Sequence, residues 1–210
     1  MNPENEQTFL LNDLLRNRID RSNGWIPFDL FFNTVMYEPG LGYYSSGSYK
    51  IGEGGDYTTA PEISKYFSKS IANQTMRLLD VHDSPSVIEI GAGKGTFAFE
   101  YLKALRETKT EIEHYYILEI SADLRDRQMQ LISDLPEDLR NKVTWLESLD
   151  IEPIDGIVLA NEVIDALPFK RFCIENKQVY ELGITYSDSA FKVSKKESSK
   201  KLRDQVEAIS

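Results

Sequence analysis

Three glycines at alternate positions follow a short apolar segment that carries a single acid. The segment is Ser-Val-Ile-Glu-Ile over residues 86–90, and the glycines are Gly91, Gly93 and Gly95. Glycine accepts a positive φ and lets a ligand approach the backbone without a Cβ in the way. Together with a helix predicted from residue 96, this strand and glycine-rich turn are typical of a nucleotide-binding unit.

The acid of this segment, Glu89, distinguishes between two classes of cofactor. A dinucleotide fingerprint reads G-x-G-x-x-G, but here the third glycine comes one residue early and Thr96 occupies its place. A carboxylate at this position would repel a pyrophosphate, whereas it would attract a cationic α-amino group. S-adenosylmethionine carries such a group, so the sequence predicts this cofactor and disfavours an NAD-dependent oxidoreductase. A tight turn between a buried strand and its helix is the simpler alternative.

A second acid follows the next predicted strand. Residues 115–118 are apolar, and Glu119 comes 24 residues after Gly95. In this type of fold the second parallel strand ends in an acid that binds the ribose hydroxyls of the cofactor. We predict that role for Glu119, with a solvated strand end as the alternative.

Two threonines stand at the start of another predicted helix. Thr58 and Thr59 precede a helix predicted over residues 61–79. The first turn of a helix has free backbone N–H groups, and with the hydroxyls these could hold a carboxylate. We predict that both threonines bind the cofactor, although an ordinary capped helix would have the same sequence.

A third cluster follows the apolar residues 157–159. Asn161, Glu162 and Asp165 come directly after this predicted strand, and ligands of open α/β sheets lie at the carboxyl ends of strands. We predict that the three side chains orient the methyl acceptor and are catalytic, with Glu162 and Asp165 on one side of a helix. An N-capped helix with an acid in its first turn is the alternative.

The elements that must position these residues alternate between strands and helices. Strands are predicted at 86–90, 115–119, 143–147 and 155–160, and helices at 96–107 and 122–132. This alternation predicts an α/β fold, with a parallel sheet covered by helices on both faces. Beyond it, strands at 169–175 and 178–186 flank Asn176-Lys177 and predict an antiparallel hairpin.

These elements divide the chain into three predicted segments. Residues 1–84 hold N-terminal helices, at 7–21 and from 27, and a glycine- and serine-rich loop that covers the cofactor. Residues 85–168 form the Rossmann-like core that binds S-adenosylmethionine. Residues 169–210 begin a β-rich insertion or substrate-binding region.

Composition and charge exclude several other functions. The net charge of −10 argues against a nucleic-acid partner, and we interpret the basic stretch 192–203 as a solvated loop or helix face. No apolar run approaches the roughly 20 residues that span a bilayer, so no membrane insertion is expected. The histidines and the single cysteine lack metal-ligand spacing, so no metal is expected. Residues 1–7 show no targeting signal, which predicts a cytoplasmic, bacterial protein.

Several motifs of the chain together resemble one family of enzymes, the S-adenosylmethionine-dependent methyltransferases of the MidA family. The resemblance extends from about residue 28 to 172. Its mitochondrial members are protein arginine methyltransferases that act in the assembly of respiratory complex I. The motifs are Gly-Leu-Gly-Tyr-Tyr at 40–44, Gly-Asp-Tyr-Thr-Thr-Ala-Pro-Glu-Ile-Ser at 55–64, Glu-Ile-Gly-Ala-Gly-Lys-Gly at 89–95, Ile-Leu-Glu-Ile-Ser at 117–121 with Leu124-Arg125 and Gln128, and Asn-Glu-Val-Ile-Asp-Ala-Leu-Pro at 161–168.

This resemblance implies a class I methyltransferase sheet, S-adenosylmethionine as cofactor, and a protein arginine as acceptor, with a respiratory-complex subunit as the expected partner. Members of the family are considerably longer, so it also implies a missing C-terminal portion and weak or no activity of residues 1–210 alone. A cofactor-binding assembly factor or pseudoenzyme that acts through protein partners is the alternative. The sequence does not indicate an oligomeric state.

Overall fold

The structure, a computed structural model, describes residues 3–45 and 58–209. Within these ranges the helices are α1 (Pro3–Arg21), α2 (Phe28–Tyr37), α3 (Ala60–Ile63), α4 (Lys65–Leu79), α5 (Thr96–Thr108), α6 (Ala122–Ile132), α7 (Glu137–Arg140) and α8 (Lys200–Ile209). The strands are β1 (Ile26–Pro27), β2 (Ser86–Ile90), β3 (Tyr115–Leu118), β4 (Val143–Leu146), β5 (Gly156–Ala160), β6 (Arg171–Glu175), β7 (Gln178–Ser187) and β8 (Ala190–Glu197).

The chain forms two compact units that do not follow chain order. Residues 47–165 make one unit, and residues 1–46 together with 166–210 make the other. The three consecutive segments predicted from the sequence therefore group differently: the N-terminal helices α1 and α2 belong with the C-terminal strands, whereas α3 and α4 belong with the Rossmann-like core.

A parallel sheet organises the unit of residues 47–165. Its strand order is β4-β3-β2-β5, and every neighbouring pair is parallel, which confirms the predicted α/β fold. The chain leaves β2 toward β3 and β4 on one side and returns to place β5 on the other side. Strand order thus reverses between β2 and β5, and such a switch point opens a crevice at the carboxyl ends of the strands.

The core of this unit surrounds the central strands. Val87 of β2 and Tyr115 and Ile117 of β3 are fully buried. Tyr101 and Leu102, from the amphipathic helix α5, pack in the same cluster. Since β2 is buried on both faces, its near-continuous apolar sequence is the pattern expected of a central parallel strand.

An antiparallel sheet organises the second unit. β7 pairs with β6, β8 and the short strand β1. The predicted hairpin between β6 and β7 is confirmed, and its two turn residues, Asn176 and Lys177, both have a positive φ, as a type I′ turn requires. Leu15 and Ile19 of α1 pack with Ile26 and Ile184 to form the core of this unit.

Two local predictions were wrong. The helix predicted over residues 61–79 is two helices, because Ser64 is extended and its hydroxyl accepts a hydrogen bond from the Tyr66 N–H, which starts α4 afresh. The basic stretch 192–203 is neither a loop nor one helix face, since it contains most of β8 and the start of α8. Lysine disfavours strands, but pairing with the long strand β7 outweighs that preference.

Two other predictions concern membranes and the long loop. In the part of the chain that the structure describes, no helix has the length and apolar character needed to cross a bilayer. Most of the glycine- and serine-rich loop predicted to cover the cofactor, residues 46–57, lies outside the described residues.

Candidate active site

A cavity opens at the switch point between β2 and β5. It is open to solvent, and about 60 Å³ of it can hold the centre of a water molecule. All of its lining residues belong to the parallel-sheet unit. They are Thr59, Pro61, Glu62, Glu89, Gly91, Ala92, Gly93, Lys94, Phe97, Asn161 and Glu162.

The glycine-rich turn forms one wall of this cavity. Gly91, Gly93 and Gly95 have φ angles of +67°, +56° and +88°, so each adopts the left-handed conformation that other residues rarely take. The turn therefore needs glycine for its own shape. Gly95 also starts α5 and packs closely on Gln128, where an added Cβ would lie 3.3 Å from the Gln128 Cα.

Glu89 lies at the base of the cavity and is only 4% exposed. Its carboxylate accepts a hydrogen bond of 2.7 Å from the Tyr115 hydroxyl. The pKa of Glu89 is raised to about 7, mainly by burial; the Tyr115 hydrogen bond opposes this shift, and the nearby Glu119 carboxylate adds to it. Among the described residues no lysine or arginine forms an ion pair with Glu89, so its partial negative charge is available to a cationic ligand.

Tyr115 is a neighbour that the sequence did not reveal. In the β2–β3 register Ile117 lies beside Glu89, and Tyr115 is the neighbouring residue on the same face of β3. From there the Tyr115 hydroxyl reaches the Glu89 carboxylate. Burial raises the pKa of Tyr115 well above its usual value, and the Glu89 charge acts in the same direction, so this phenol remains a donor. The sequence of β3, Tyr-Tyr-Ile-Leu, gives no signal that distinguishes Tyr115 from an ordinary buried strand residue.

Glu119 follows β3 directly, as predicted, but it does not line the cavity. One of its carboxylate oxygens accepts a hydrogen bond from the Ser121 N–H at 2.9 Å, and the other accepts one from the Gln128 amide at 3.1 Å. Burial raises the pKa of Glu119, and these hydrogen bonds oppose the shift. Two donors therefore fix the carboxylate while leaving part of its acceptor capacity unused.

The threonine segment contributes to the site differently from the prediction. Thr59 caps α3 and lines the cavity, whereas Thr58 is exposed and does not. Glu62 of α3 pairs with Lys94 of the glycine-rich turn, with 3.2 Å between the carboxylate and ammonium. The sequence did not predict this ion pair, which joins the segment before α4 to the turn after β2.

The cluster after β5 is only partly assembled. Asn161 and Glu162 line the cavity, but Asp165 is exposed and lies outside it. The predicted helix was wrong: Glu162 has a φ of +53°, and only a 3₁₀ turn, Ile164–Ala166, follows. Glu162 and Asp165 therefore lack the helical spacing that was predicted to place their carboxylates on one side of a helix.

Lys170 is the next cation along the chain after Glu162. Lys170 forms ion pairs with Asp29 and Glu181 in the antiparallel-sheet unit. Glu162 keeps a strained left-handed backbone at the edge of the cavity, and such strain in a non-glycine residue concentrates at functional sites.

The fit of these residues to the predicted cofactor follows from their chemistry. The glycine-rich turn presents bare backbone at its glycines, Glu89 presents a buried acid without a cationic partner among the described residues, and Glu119 presents a fixed acceptor. An amino acid joined to a nucleoside has complementary groups: an ammonium and ribose hydroxyls. Within the described residues no cluster of candidate ligands could hold a metal ion.

The fold and the site together define a Rossmann-like class I methyltransferase. Residues 70–210 match the family described as "Putative S-adenosyl-L-methionine-dependent methyltransferase", and the chain belongs to this family. The predicted family resemblance and, at the level of the family, the predicted cofactor are thereby confirmed.

Three similar proteins support this assignment. A crystal structure from Burkholderia thailandensis bound to S-adenosyl-homocysteine has a TM-score of 0.88 and 33% identity, covering 99% of this chain and 55% of that one. The mitochondrial protein arginine methyltransferase NDUFAF7 homolog of Drosophila melanogaster is 30% identical, covering 80% of this chain and 43% of the relative. The mitochondrial protein arginine methyltransferase NDUFAF7 of Homo sapiens is 23% identical, with the same coverage. The chain thus spans about half the length of these proteins.

Proposed function

We propose that this chain binds S-adenosylmethionine and forms the methyl-transfer site of a protein arginine methyltransferase. The observation that carries the proposal is the buried Glu89 carboxylate, which lines the cavity without a cationic partner among the described residues. An unpaired buried acid is costly unless a ligand compensates it. The α-ammonium of S-adenosylmethionine is such a ligand.

The other cofactor-binding roles are assigned to groups in the cavity and, for Glu119, beside it. The backbone of the glycine-rich turn would contact the amino-acid part, and the Glu119 carboxylate would accept hydrogen bonds from the ribose hydroxyls. Thr59 and the Glu62–Lys94 pair would cover it from the side of α3. When bound, the cofactor supplies a methyl group on a sulfonium, which makes that methyl electrophilic.

The acceptor is proposed from the residues after β5. Asn161 and Glu162 line the same cavity as the glycine-rich turn and Glu89. A guanidinium presents a planar fork of N–H donors that a carboxylate binds well, so Glu162 would fix its rotation and balance its charge. The fly and human relatives are named as protein arginine methyltransferases, which supports the same acceptor class. A respiratory-complex subunit is the proposed partner.

Calorimetry and labelled transfer test the two halves of this proposal separately. Isothermal titration of the chain with S-adenosylmethionine and S-adenosylhomocysteine should show one site for each. Residues 1–210 alone are expected to transfer weakly or not at all, so transfer is measured with the chain extended to the length of its relatives. Methyl groups labelled with tritium should then appear in lysate proteins, and acid hydrolysis should identify methylarginine. Absence of binding would overturn the proposal. Binding without transfer, beside an active full-length relative, would favour a cofactor-binding assembly factor, and label in lysine or carboxyl groups would exclude arginine.

A further inference from the structure

Gln128 lies in the middle of α6 and is completely buried, yet no substrate-binding role is evident from its position in the sequence. Its side chain makes three hydrogen bonds. The amide nitrogen donates to the Gly93 carbonyl at 2.8 Å and to the Glu119 carboxylate at 3.1 Å. The amide oxygen accepts from the Trp145 indole at 2.9 Å. One buried amide therefore joins three separate segments that follow or belong to β2, β3 and β4.

The orientation of this amide is determined by its partners. An indole N–H can only donate, so the oxygen of Gln128 must face Trp145. The Gly93 carbonyl and the Glu119 carboxylate can only accept, so both require the nitrogen, which has two hydrogens to give. A rotated amide would lose all three hydrogen bonds. The network thus permits a single arrangement, and every hydrogen-bonding site on the amide nitrogen is used.

Two of these partners belong to the proposed cofactor site. Gly93 lines the cavity in a left-handed conformation, and the hydrogen bond to its carbonyl fixes the turn at that residue. Glu119 is the proposed ribose acceptor, and its two oxygens are oriented by Gln128 and by the Ser121 N–H. Gln128 therefore sets the spacing between the groups proposed to hold the two ends of one ligand.

We propose that Gln128 is a positioning residue for cofactor binding, which holds the Glu119 carboxylate and the glycine-rich turn in the geometry that the cofactor requires. It acts through these groups and does not line the cavity itself. This inference rests on the proposed function, because it assumes that the cavity binds S-adenosylmethionine.

The first experiment measures S-adenosylhomocysteine binding by calorimetry for the unmodified chain, Gln128→Leu, Glu119→Gln and the double variant. Leucine removes the amide at similar volume. Hydrogen bonds to charged groups contribute about 1.5–3 kcal/mol, so Gln128→Leu should weaken binding by about tenfold to a hundredfold. Because Gln128 acts partly through Glu119, its effect should be clearly smaller in the Glu119→Gln background. Gln130→Leu, an exposed position on the same helix, is the matched control and should bind normally.

The second experiment uses Gln128→Glu, which keeps the shape and an acceptor for Trp145. At pH 8 an ionised carboxylate beside Glu119, with Glu89 nearby, should repel both and weaken binding at least tenfold. At pH 6 the new carboxyl gains a proton and can donate to Glu119, so the deficit relative to the unmodified chain should shrink. A purely structural role predicts a deficit that does not change with pH. If circular dichroism shows that Gln128→Leu is unfolded, Gln128→Glu alone tests the positioning role.

The possible failures are distinguishable. If the unmodified chain does not bind S-adenosylhomocysteine, the proposed function is wrong. If it binds and folded Gln128 variants bind within twofold of it, only the positioning role is wrong. Additive effects of Gln128→Leu and Glu119→Gln, or a deficit of Gln128→Glu that is equal at pH 6 and pH 8, would also overturn that role.

Discussion

The two strand ends that meet at the cavity are built differently. β2 is a central strand, buried along its length, and its end carries the buried Glu89 and a glycine-rich turn. β5 lies at the end of the sheet order, alternates between half-buried and exposed residues, and leaves Val158 61% exposed. It ends at Ala160, and Glu162, an exposed side chain on a strained backbone, follows two residues later.

This difference has a functional meaning if the β2 end holds the cofactor and the β5 end meets the acceptor. The acid at β2 is fixed by Tyr115, and its neighbour Glu119 by Gln128, so little ordering remains to be done when a small ligand binds. A protein substrate instead needs access to the cavity from solvent, and Asn161 and Glu162 line the cavity at the β5 end with half-exposed and exposed side chains. Affinity for the cofactor should therefore respond strongly to changes at β2 and weakly to changes at β5.

The largest effect is expected from Gly93→Val. Valine would have to adopt a φ near +56°, which is strongly disfavoured for a β-branched residue, and its side chain would enter the cavity wall. Binding of S-adenosylmethionine should fall by more than about a hundredfold, or about 3 kcal/mol, in calorimetry. Gly24→Val is the control, since Gly24 also has a positive φ but open space around it and lies in the other unit. Undiminished affinity of Gly93→Val would place the cofactor elsewhere.

The next largest effect is expected from Glu89→Gln, which should weaken cofactor binding but increase the stability of the fold. Removing the charge that faces the cofactor's ammonium should weaken binding about tenfold to a hundredfold, on the scale of a charged hydrogen bond. The same change removes a buried acid whose ionisation is unfavourable, and the amide can still accept the Tyr115 hydrogen bond. The variant should therefore be more stable than the unmodified chain at high pH.

The pH dependence of that stability follows from the raised pKa of Glu89. In the unfolded chain the acid ionises above its usual 4.5, whereas in the fold it stays protonated up to about 7. The contribution of Glu89 to the free energy of unfolding is thus fully present below pH 4.5, falls as pH rises toward 7, and is constant at higher pH. Glu89→Gln should remove this decline, gaining up to about 3 kcal/mol at pH 8 and little at pH 4. Urea unfolding at both values measures it, and an equal gain at both would contradict the assignment.

How far the sequence predicts this site depends on whether a residue acts locally or through the fold. The glycines and Glu89 were predictable because the backbone geometry of a strand–turn–helix unit restricts the residues within it. Tyr115 was not, because its contact with Glu89 depends on the register of two strands. Glu162 lies at the cavity because it follows a strand, as the sequence predicted, but the helix predicted to align it with Asp165 is absent, since the chain instead makes a left-handed residue and a 3₁₀ turn.

A smaller effect is expected where α3 meets the glycine-rich turn. The Glu62–Lys94 pair is largely buried, with 14% and 19% of the two side chains exposed, so it should help to hold Thr59 and Pro61 against the cavity. Glu62→Gln should weaken cofactor binding about threefold to tenfold, or about 1 kcal/mol. Glu107→Gln is the control, because Glu107 forms an exposed ion pair with Lys69. A Glu62→Gln chain that binds as tightly as this control would show that the pair does not support the cavity.

The smallest effect on cofactor affinity is expected from Glu162→Gln, although Glu162 lines the same cavity. Its side chain is exposed and lies at the β5 end, so removing its charge should change S-adenosylmethionine binding by less than about twofold, or 0.4 kcal/mol. Transfer should behave differently, because the carboxylate is proposed to orient the acceptor guanidinium. We expect single-turnover transfer of label to arginine to fall at least about a hundredfold, the scale of losing a positioned charged group.

Asp165→Asn makes the comparison sharper, because Asp165 comes from the same motif but lies outside the cavity. If the β5 end acts through the geometry seen here, Asp165→Asn should retain most of the transfer rate while Glu162→Gln loses it. Equal losses in both variants would mean that the two carboxylates act together, as the helical spacing originally predicted, and that the 3₁₀ turn rearranges when the acceptor binds. A strong loss of cofactor affinity in Glu162→Gln would instead remove the distinction between the two strand ends, since both would then hold the cofactor.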